Sequence, residues 1–169
     1  EIHPGGAAAN TIVGLSRLGA KTGLVGALGK DDDGKMLYDL LISEGIDLRG
    51  VVFKEGRTGR VTHILNKQGK YLSYIQSGVN GLIETEDINL SLLKEAKFLH
   101  MSSLGQTNSK SFETQKRLTE RLTNISFRPG YAYAKYGIEK LLPIIKNTKI
   151  IFLSEEELSV LTNEGNVKN

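Results

Sequence analysis

The residues best suited to bind a ligand lie at the start of the chain, in the stretch HPGGAAAN from His3 to Asn10. Gly5 and Gly6 have no side chains, so a bound molecule can approach their backbone closely. Asn10 carries a carboxamide, which both donates and accepts hydrogen bonds and therefore suits a pair of neighbouring hydroxyl groups. A second interpretation needs no ligand: the glycines form a tight turn and Asn10 caps the following helix. The spacing alone leaves both interpretations open.

The best candidate for a metal site is the run of three glutamates from Glu155 to Glu157, which follows Ser154. One carboxylate can hold Mg²⁺ through water, because this ion keeps much of its hydration shell. The same residues also match a helix start, with Ser154 as the cap and negative charge in the first turn. Asp31 to Asp33 fit another helix start, and we predict no catalytic role for them.

Two standard phosphate-binding loops are excluded by the residues around Gly29 and Lys30. A Walker loop has the pattern G-x4-G-K-[ST], but Leu24 stands at its first glycine and Asp31 at its hydroxyl position. A dinucleotide-binding fingerprint has the pattern G-x-G-x-x-G, and Gly26 with Gly29 supplies only G-x-x-G. The sequence therefore predicts neither of these nucleotide sites.

Composition narrows the class of protein. The chain has 169 residues, of which 39% are hydrophobic and 24% charged, values typical of a soluble globular domain. The net charge of +3 is spread along the chain, so nucleic-acid binding is not indicated. The absence of cysteine excludes disulfides and zinc–thiolate sites and fits a reducing cytoplasm. No apolar run approaches the roughly 20 residues that span a bilayer, and no signal peptide is visible, so we predict a cytoplasmic protein with no membrane partner.

Helices and strands alternate along most of the chain. Helical periodicity or start signals predict helices over 11–19, 31–46, 85–96 (with Thr85 as its cap), 109–124, 128–148 and 154–165. Short apolar runs predict strands over 21–29, 97–105, 125–127 and 149–153. Pro143 is expected to start a new turn or to kink its segment. This alternation predicts an α/β fold with a mainly parallel sheet and helices on both faces.

An insert at about 50–78 departs from this rhythm. Its residues alternate with a period of two on either side of NKQG, which predicts an antiparallel hairpin. We therefore predict a single α/β domain over 1–169, from which a small antiparallel β lid projects.

The glycine turn and a later motif together resemble a known family. Gly5-Gly6 and Asn10 give G-G-x-x-x-N, and Gly29, Asp31 and Gly34 give G-x-D-x-x-G. This pairing resembles the N-terminal signature of the ribokinase-like carbohydrate kinases, the PfkB family. The stretches SEGIDLRGV, RTGRVTHILNKQGKYLSY, SGVNG and IIFLSEEEL resemble later family segments in the same order. The resemblance implies a three-layer fold of ribokinase type, with a mainly parallel sheet and a small β lid.

The resemblance also implies an activity, which is ATP- and Mg²⁺-dependent phosphorylation of a hydroxyl on a small sugar or nucleoside. Gly5, Gly6 and Asn10 would bind the substrate, and Glu157 would help to organise the water shell of Mg²⁺. The lid would exclude water, and it could also pair with a second copy to form a homodimer. Two residues depart from the family pattern: Ser154 replaces an asparagine, and Arg128 stands where an aspartate is common.

The base that such kinases use is not found in this sequence. It is the aspartate of a G-A-G-D motif, and that motif does not occur in the 169 residues. The opening strand of the family would also precede Glu1. We therefore expect the chain to be an incomplete, substrate-side portion of a kinase, without the catalytic base or the ATP site and inactive by itself. The alternative is a non-catalytic module that binds a sugar or nucleoside in the same cleft.

Overall fold

The computed structural model describes residues 3–69 and 71–163. The strands are β1 (Gly23–Gly29), β2 (Asp47–Lys54), β3 (Arg60–Leu65), β4 (Tyr71–Gln76), β5 (Leu99–Ser102), β6 (Ile125–Arg128) and β7 (Ile150–Ile151). The helices are α1 (Ala7–Arg17), α2 (Asp32–Ser43), α3 (Leu90–Glu95), α4 (Lys110–Thr119), α5 (Gly130–Ala134), α6 (Ile138–Ile145) and α7 (Glu155–Thr162). Lys70 of the predicted hairpin and the last two positions of the predicted final helix lie outside the described residues.

Most strand pairing is parallel. β1 pairs with β2, and β5, β6 and β7 form a second parallel sheet in that order. β3 and β4 form an antiparallel hairpin, in which Arg60 lies opposite Gln76 and Ile64 opposite Leu72. The predicted α/β class, with mostly parallel strands and a small antiparallel unit, is confirmed.

The antiparallel unit is shorter than the predicted insert. Residues 50–54 belong to β2, which pairs in parallel with β1, so only Arg60–Gln76 forms the hairpin. The boundary at Val51 was wrong because Val51 and its neighbour Val52 both pack against apolar clusters, as in a parallel strand that is covered on both faces.

Apolar clusters lie on both faces of the β1–β2 sheet. On one face, Leu41 of α2 packs with Ile46 and Leu48, and side chains of α1 cover this cluster. On the other face, Ala27 of β1 packs against Val79 and Ile83. Because Val51 joins the first cluster and its neighbour Val52 the second, the two clusters lie on opposite faces of the strand.

The largest core lies against β5 and β6. Side chains from these strands and from α4, α5, α6 and α7 contribute to it, namely Met101, Ile125, Phe127, Phe112, Tyr133, Ala134, Leu141, Ile144 and Leu161. Each fully buried aliphatic or aromatic side chain contributes roughly 1.5–3 kcal/mol. This core therefore anchors the strands and loops that carry the candidate site. Among the residues described, no helix is both long and apolar enough to cross a membrane.

Two predicted helix boundaries are wrong. Thr85 does not cap a helix but begins a 3₁₀ turn, and α3 starts later with Asn89 as its cap, whose side chain accepts hydrogen bonds from two amides. The predicted helix over 128–148 is divided at Gly137, whose φ of 80° favours glycine. Pro143 does not start a new turn, because α6 continues through it.

Candidate substrate site

The candidate site lies at the carboxyl edge of the parallel strands, where open α/β sheets bind ligands. The helices α2, α4 and α5 begin on the chain shortly after β1, β5 and β6 end, so their N-termini lie at this edge. The N-terminus of α1 lies there too, because its last turn contacts the last turn of α2. In that contact Ser16 Oγ donates to Glu44 O over 2.7 Å, and Arg17 pairs with the Glu44 carboxylate.

The glycine turn forms the start of α1. Gly6 is the N-cap, with φ 109° and ψ 136°, and its carbonyl accepts a hydrogen bond from the Asn10 amide over 2.9 Å. Asn10 therefore lies in the first turn of α1, and the interpretation of Asn10 as the cap is wrong. Its side chain is exposed and has no hydrogen bond to any residue that the structure describes. The carboxamide is thus available to a ligand.

Gly5 and Asn10 contribute to the wall of one hollow between α1 and α2, with a volume of about 230 Å³. Leu37, Leu40 and Leu41 of α2 form its apolar side. The structure therefore brings Gly5 and Asn10 together, with Gly6 directly between Gly5 and the helix.

Glu157 belongs to a capping box at the start of α7. Its amide donates to Ser154 Oγ over 3.1 Å, and its Oε2 accepts from the Ser154 amide over 2.9 Å. Glu157 shares no hydrogen bond with Gly5 or Asn10 among the described residues. Within that part of the chain, no three His, Asp or Glu side chains lie close enough to hold a metal ion. A single carboxylate such as that of Glu157 would hold Mg²⁺ through water, because this ion keeps much of its hydration shell.

Arg128 and His100 lie on the same face of the β5–β6–β7 sheet. His100 Nδ1 is 2.9 Å from Ser126 Oγ, and its ring meets the edge of Phe152. Burial, with a smaller contribution from the Arg128 charge, lowers the pKa of His100. His100 is therefore a neutral, structural residue near pH 7, and the exposed Arg128 adds positive charge at the carboxyl edge.

A buried hydrogen-bond network fixes the loop that follows β5. The Tyr133 hydroxyl lies 2.9 Å from both Leu104 O and Gln115 Oε1 and accepts from the Leu104 amide over 3.1 Å. Gln115 Nε2 donates to Ser102 O over 2.6 Å. Burial raises the pKa of Tyr133 to about 12, so its hydroxyl keeps its proton at neutral pH.

Asp31 binds a residue that lies far from it along the chain, in addition to capping a helix. As predicted, it caps α2, with its Oδ1 accepting from the Gly34 amide over 2.9 Å. Its carboxylate also accepts from the Thr58 hydroxyl over 2.6 Å and from the Thr58 amide over 2.9 Å. These bonds to Thr58 are the main reason that the pKa of Asp31 is lowered. The G-x-D-x-x-G motif marks Asp31 in the sequence but does not indicate its partner, because Thr58 lies 27 positions further along the chain.

A mostly parallel α/β unit with a bare glycine turn at its carboxyl edge and a projecting antiparallel hairpin is the architecture of the ribokinase-like proteins. The chain belongs to the pfkB family of carbohydrate kinases, whose family model matches residues 1–169. The predicted resemblance and the ribokinase-like fold are both confirmed.

Individual relatives agree with this family. The chain is 31% identical to an uncharacterised sugar kinase of Archaeoglobus fulgidus, over 90% of this chain and 61% of that protein. It is also 31% identical to a probable fructokinase of Arabidopsis thaliana, over 94% of this chain and 50% of that protein. An uncharacterised sugar kinase of Pyrococcus horikoshii, crystallised in complex with ATP, matches with a TM-score of 0.85 and 32% identity, over 98% of this chain and 58% of that one. The chain thus spans about half to three fifths of the length of these relatives.

Proposed function

We propose that the protein containing this chain transfers a phosphoryl group from ATP to a hydroxyl of a small sugar, with Mg²⁺, and that these residues form part of its sugar-binding side. The observation that carries this proposal is the exposed Asn10 carboxamide, which has no hydrogen bond to any residue within 3–69 or 71–163, beside the bare Gly5-Gly6 turn. Relatives named as sugar kinases and fructokinases favour a sugar over a nucleoside. A cytoplasmic location remains part of this proposal.

The proposed role of these residues is to bind and orient the substrate. The Gly5-Gly6 backbone lies against the sugar, and the Asn10 carboxamide donates to one hydroxyl and accepts from its neighbour, which fixes the sugar's orientation. The β3–β4 hairpin acts as the lid that excludes water from the site. ATP supplies the phosphoryl group and Mg²⁺ offsets its charge, with Glu157 holding the ion through water.

None of these side chains is proposed as the base. The resemblance assigns that role to an aspartate in a G-A-G-D motif, which the 169 residues do not contain. We therefore propose that this chain alone binds a sugar without transferring phosphate to it. The alternative is a non-catalytic sugar- or nucleoside-binding module of the same fold. ATP consumption by a protein that carries both this chain and a G-A-G-D segment would exclude the alternative.

Substitution of Asn10 tests the proposed sugar contact. We expect Asn10→Ala to lower the affinity for the bound sugar by roughly 5- to 150-fold, because two hydrogen bonds of about 0.5–1.5 kcal/mol each are lost. Calorimetric titration of the chain with fructose, other hexoses, ribose and adenosine measures this change. Asn147→Ala is the matched control, because Asn147 follows the C-terminal end of α6 and should leave the affinity unchanged. Equal affinities of Asn10→Ala and the wild type would contradict the contact. If no sugar or nucleoside binds to any variant, the proposed function itself is wrong.

We also propose that the hairpin pairs with a second copy of the chain. Its exposed apolar side chains are between 49% and 66% accessible, namely Val61, Ile64, Leu65, Leu72, Tyr74 and Ile75. A two-stranded hairpin is marginally stable alone, and a second copy would bury this surface.

Sedimentation at micromolar concentration tests this dimer. The register places Ile64 with Leu72 on one face and Val61 with Ile75 on the other. We expect lysines at both positions of one of these pairs to give monomers, because that face is buried in the dimer. Lysines at both positions of the other pair should leave the dimer intact. A wild-type chain that sediments only as a monomer would contradict the proposal.

A further inference from the structure

The hairpin joins the rest of the chain through two short crossings, 56–59 and 77–80, which we call the hairpin root. The crossings touch through their backbones, with the Val79 amide donating to Arg57 O over 3.0 Å. A Cβ on Gly59 would lie 3.0 Å from Ser77 O and closer still to the Asn80 carboxamide. A Cβ on Gly78, where φ is 52°, would overlap Arg57 O. The root is therefore closely packed and leaves no room for side chains at these glycines.

A buried group ties this root to the parallel sheet. Thr58 is only 9% exposed, and its Oγ1 accepts from the Gly29 amide at the end of β1 over 2.9 Å. The same hydroxyl donates to Asp31 Oδ1, while the Thr58 amide donates to Asp31 Oδ2. One carboxylate thus accepts from both hydrogen-bond donors of Thr58 and, through the Gly34 amide, also binds the first turn of α2.

Beyond the root, the hairpin has few attachments. All six residues of β3 are exposed, and in the described part of the chain β3 and β4 pair only with each other. An exposed ion pair between Arg60 and Asp33 links β3 to α2, and exposed ion pairs of this kind contribute little. The orientation of the hairpin therefore depends on the root.

We infer that Asp31 is a positioning residue that acts through Thr58 to hold the β3–β4 hairpin in one orientation over the carboxyl edge of the sheet. Strands of this length extend about 20 Å, so a rotation of roughly 10° at the root would move the hairpin tip by about 3–4 Å. The charged carboxylate suits this role because one of its oxygens accepts from the Thr58 hydroxyl and the other from the Thr58 amide. A neutral amide side chain has only one acceptor oxygen, and its second terminal atom is a donor. The role of this orientation in function rests on the proposed function, in which the hairpin is a lid. The contacts that set the orientation do not depend on that proposal.

The absence of cysteine allows a direct measurement of this orientation. Lys35→Cys on α2 and Lys67→Cys at the hairpin tip, both exposed positions, accept spin labels, and pulsed electron spin resonance then gives the distribution of distances between them. Asp31→Asn keeps the helix cap, since asparagine caps as well as aspartate, but presents an NH₂ group in place of one acceptor. Thr58→Val removes the hydroxyl at nearly constant shape, and Thr58→Ser retains it.

We expect Asp31→Asn and Thr58→Val each to broaden the distance distribution at least twofold, and Thr58→Ser to match the wild type. Asp33→Asn, which removes only the exposed ion pair, is the matched control and should have little effect. Equal widths in all variants, or the same broadening in Thr58→Ser as in Thr58→Val, would overturn the inference. If Asp31→Asn does not fold, the two Thr58 variants decide the result. Failure of the chain to bind any sugar would overturn the proposed function and leave these distances as they are.

Discussion

Gly34→Ala is expected to destabilise the fold by about 3 kcal/mol or more, or to prevent folding, although alanine is the better helix former. Gly34 lies in the first turn of α2, where a Cβ would be 2.7 Å from Thr58 Oγ1, 3.1 Å from Asp31 Oδ1 and closer still to the backbone oxygen of Gly29. The oxygen of Gly29 belongs to β1, which pairs with β2, so it cannot move without disrupting that sheet. The Asp31–Thr58 contacts would be lost together with the packing of the strand end.

Gly14→Ala is the matched control, because Gly14 is also a helical glycine. It lies on the exposed side of α1, and nothing lies within 4 Å of the position that its Cβ would occupy. Here helix propensity acts alone, and we expect the substitution to stabilise the chain by up to about 1 kcal/mol. Urea unfolding followed by circular dichroism measures both variants. If both substitutions change the free energy of unfolding in the same direction, the close approach of Gly34 to Gly29 and Thr58 does not control stability.

Local signals in the sequence predicted the features that depend on neighbouring residues. The caps at Asp31 and Ser154 each accept a hydrogen bond from an amide three positions further along, so their spacing is visible in the chain. The alternation of helices and strands likewise predicted the α/β class, because a βαβ unit has few topological alternatives. The family signature added the fold type.

Features that depend on tertiary contacts were not predicted. The bonds between Asp31 and Thr58 cross 27 positions of the chain, and no periodicity indicates such a pairing. Pro143 does not start a new turn because tertiary packing retains α6 through it: Leu141 and Ile144, on either side of the proline, are both fully buried, while the alternative of a kink stays a prediction. The roles of Gly5, Gly6 and Asn10 toward a sugar stay predictions, because a ligand contact requires the ligand.

Gly5→Ala and Gly6→Ala decide whether the glycine turn serves only the backbone or also admits a ligand. Gly6 has φ 109° and ψ 136°, a conformation that alanine rarely adopts, so Gly6→Ala should cost about 1–3 kcal/mol of stability. Gly5 does not have this positive φ, and nothing lies within 4 Å of its Cβ position, so Gly5→Ala should leave the unfolding free energy unchanged. A backbone role alone therefore predicts that Gly5→Ala has no effect on either stability or binding.

The proposed sugar contact predicts a different result for Gly5→Ala, which is an affinity at least tenfold lower at unchanged stability, because the added methyl group occupies the space of the sugar. Gly19→Ala is the control for strain alone: Gly19 follows the other end of α1, with φ 86° and open space around it. Urea unfolding and calorimetric titration of the three variants measure both quantities. A loss of affinity confined to Gly5→Ala and Gly6→Ala would mean that the turn is bare because a ligand approaches it. Wild-type affinity in Gly5→Ala would mean that this position serves the chain alone and that the sugar, if bound, contacts other residues.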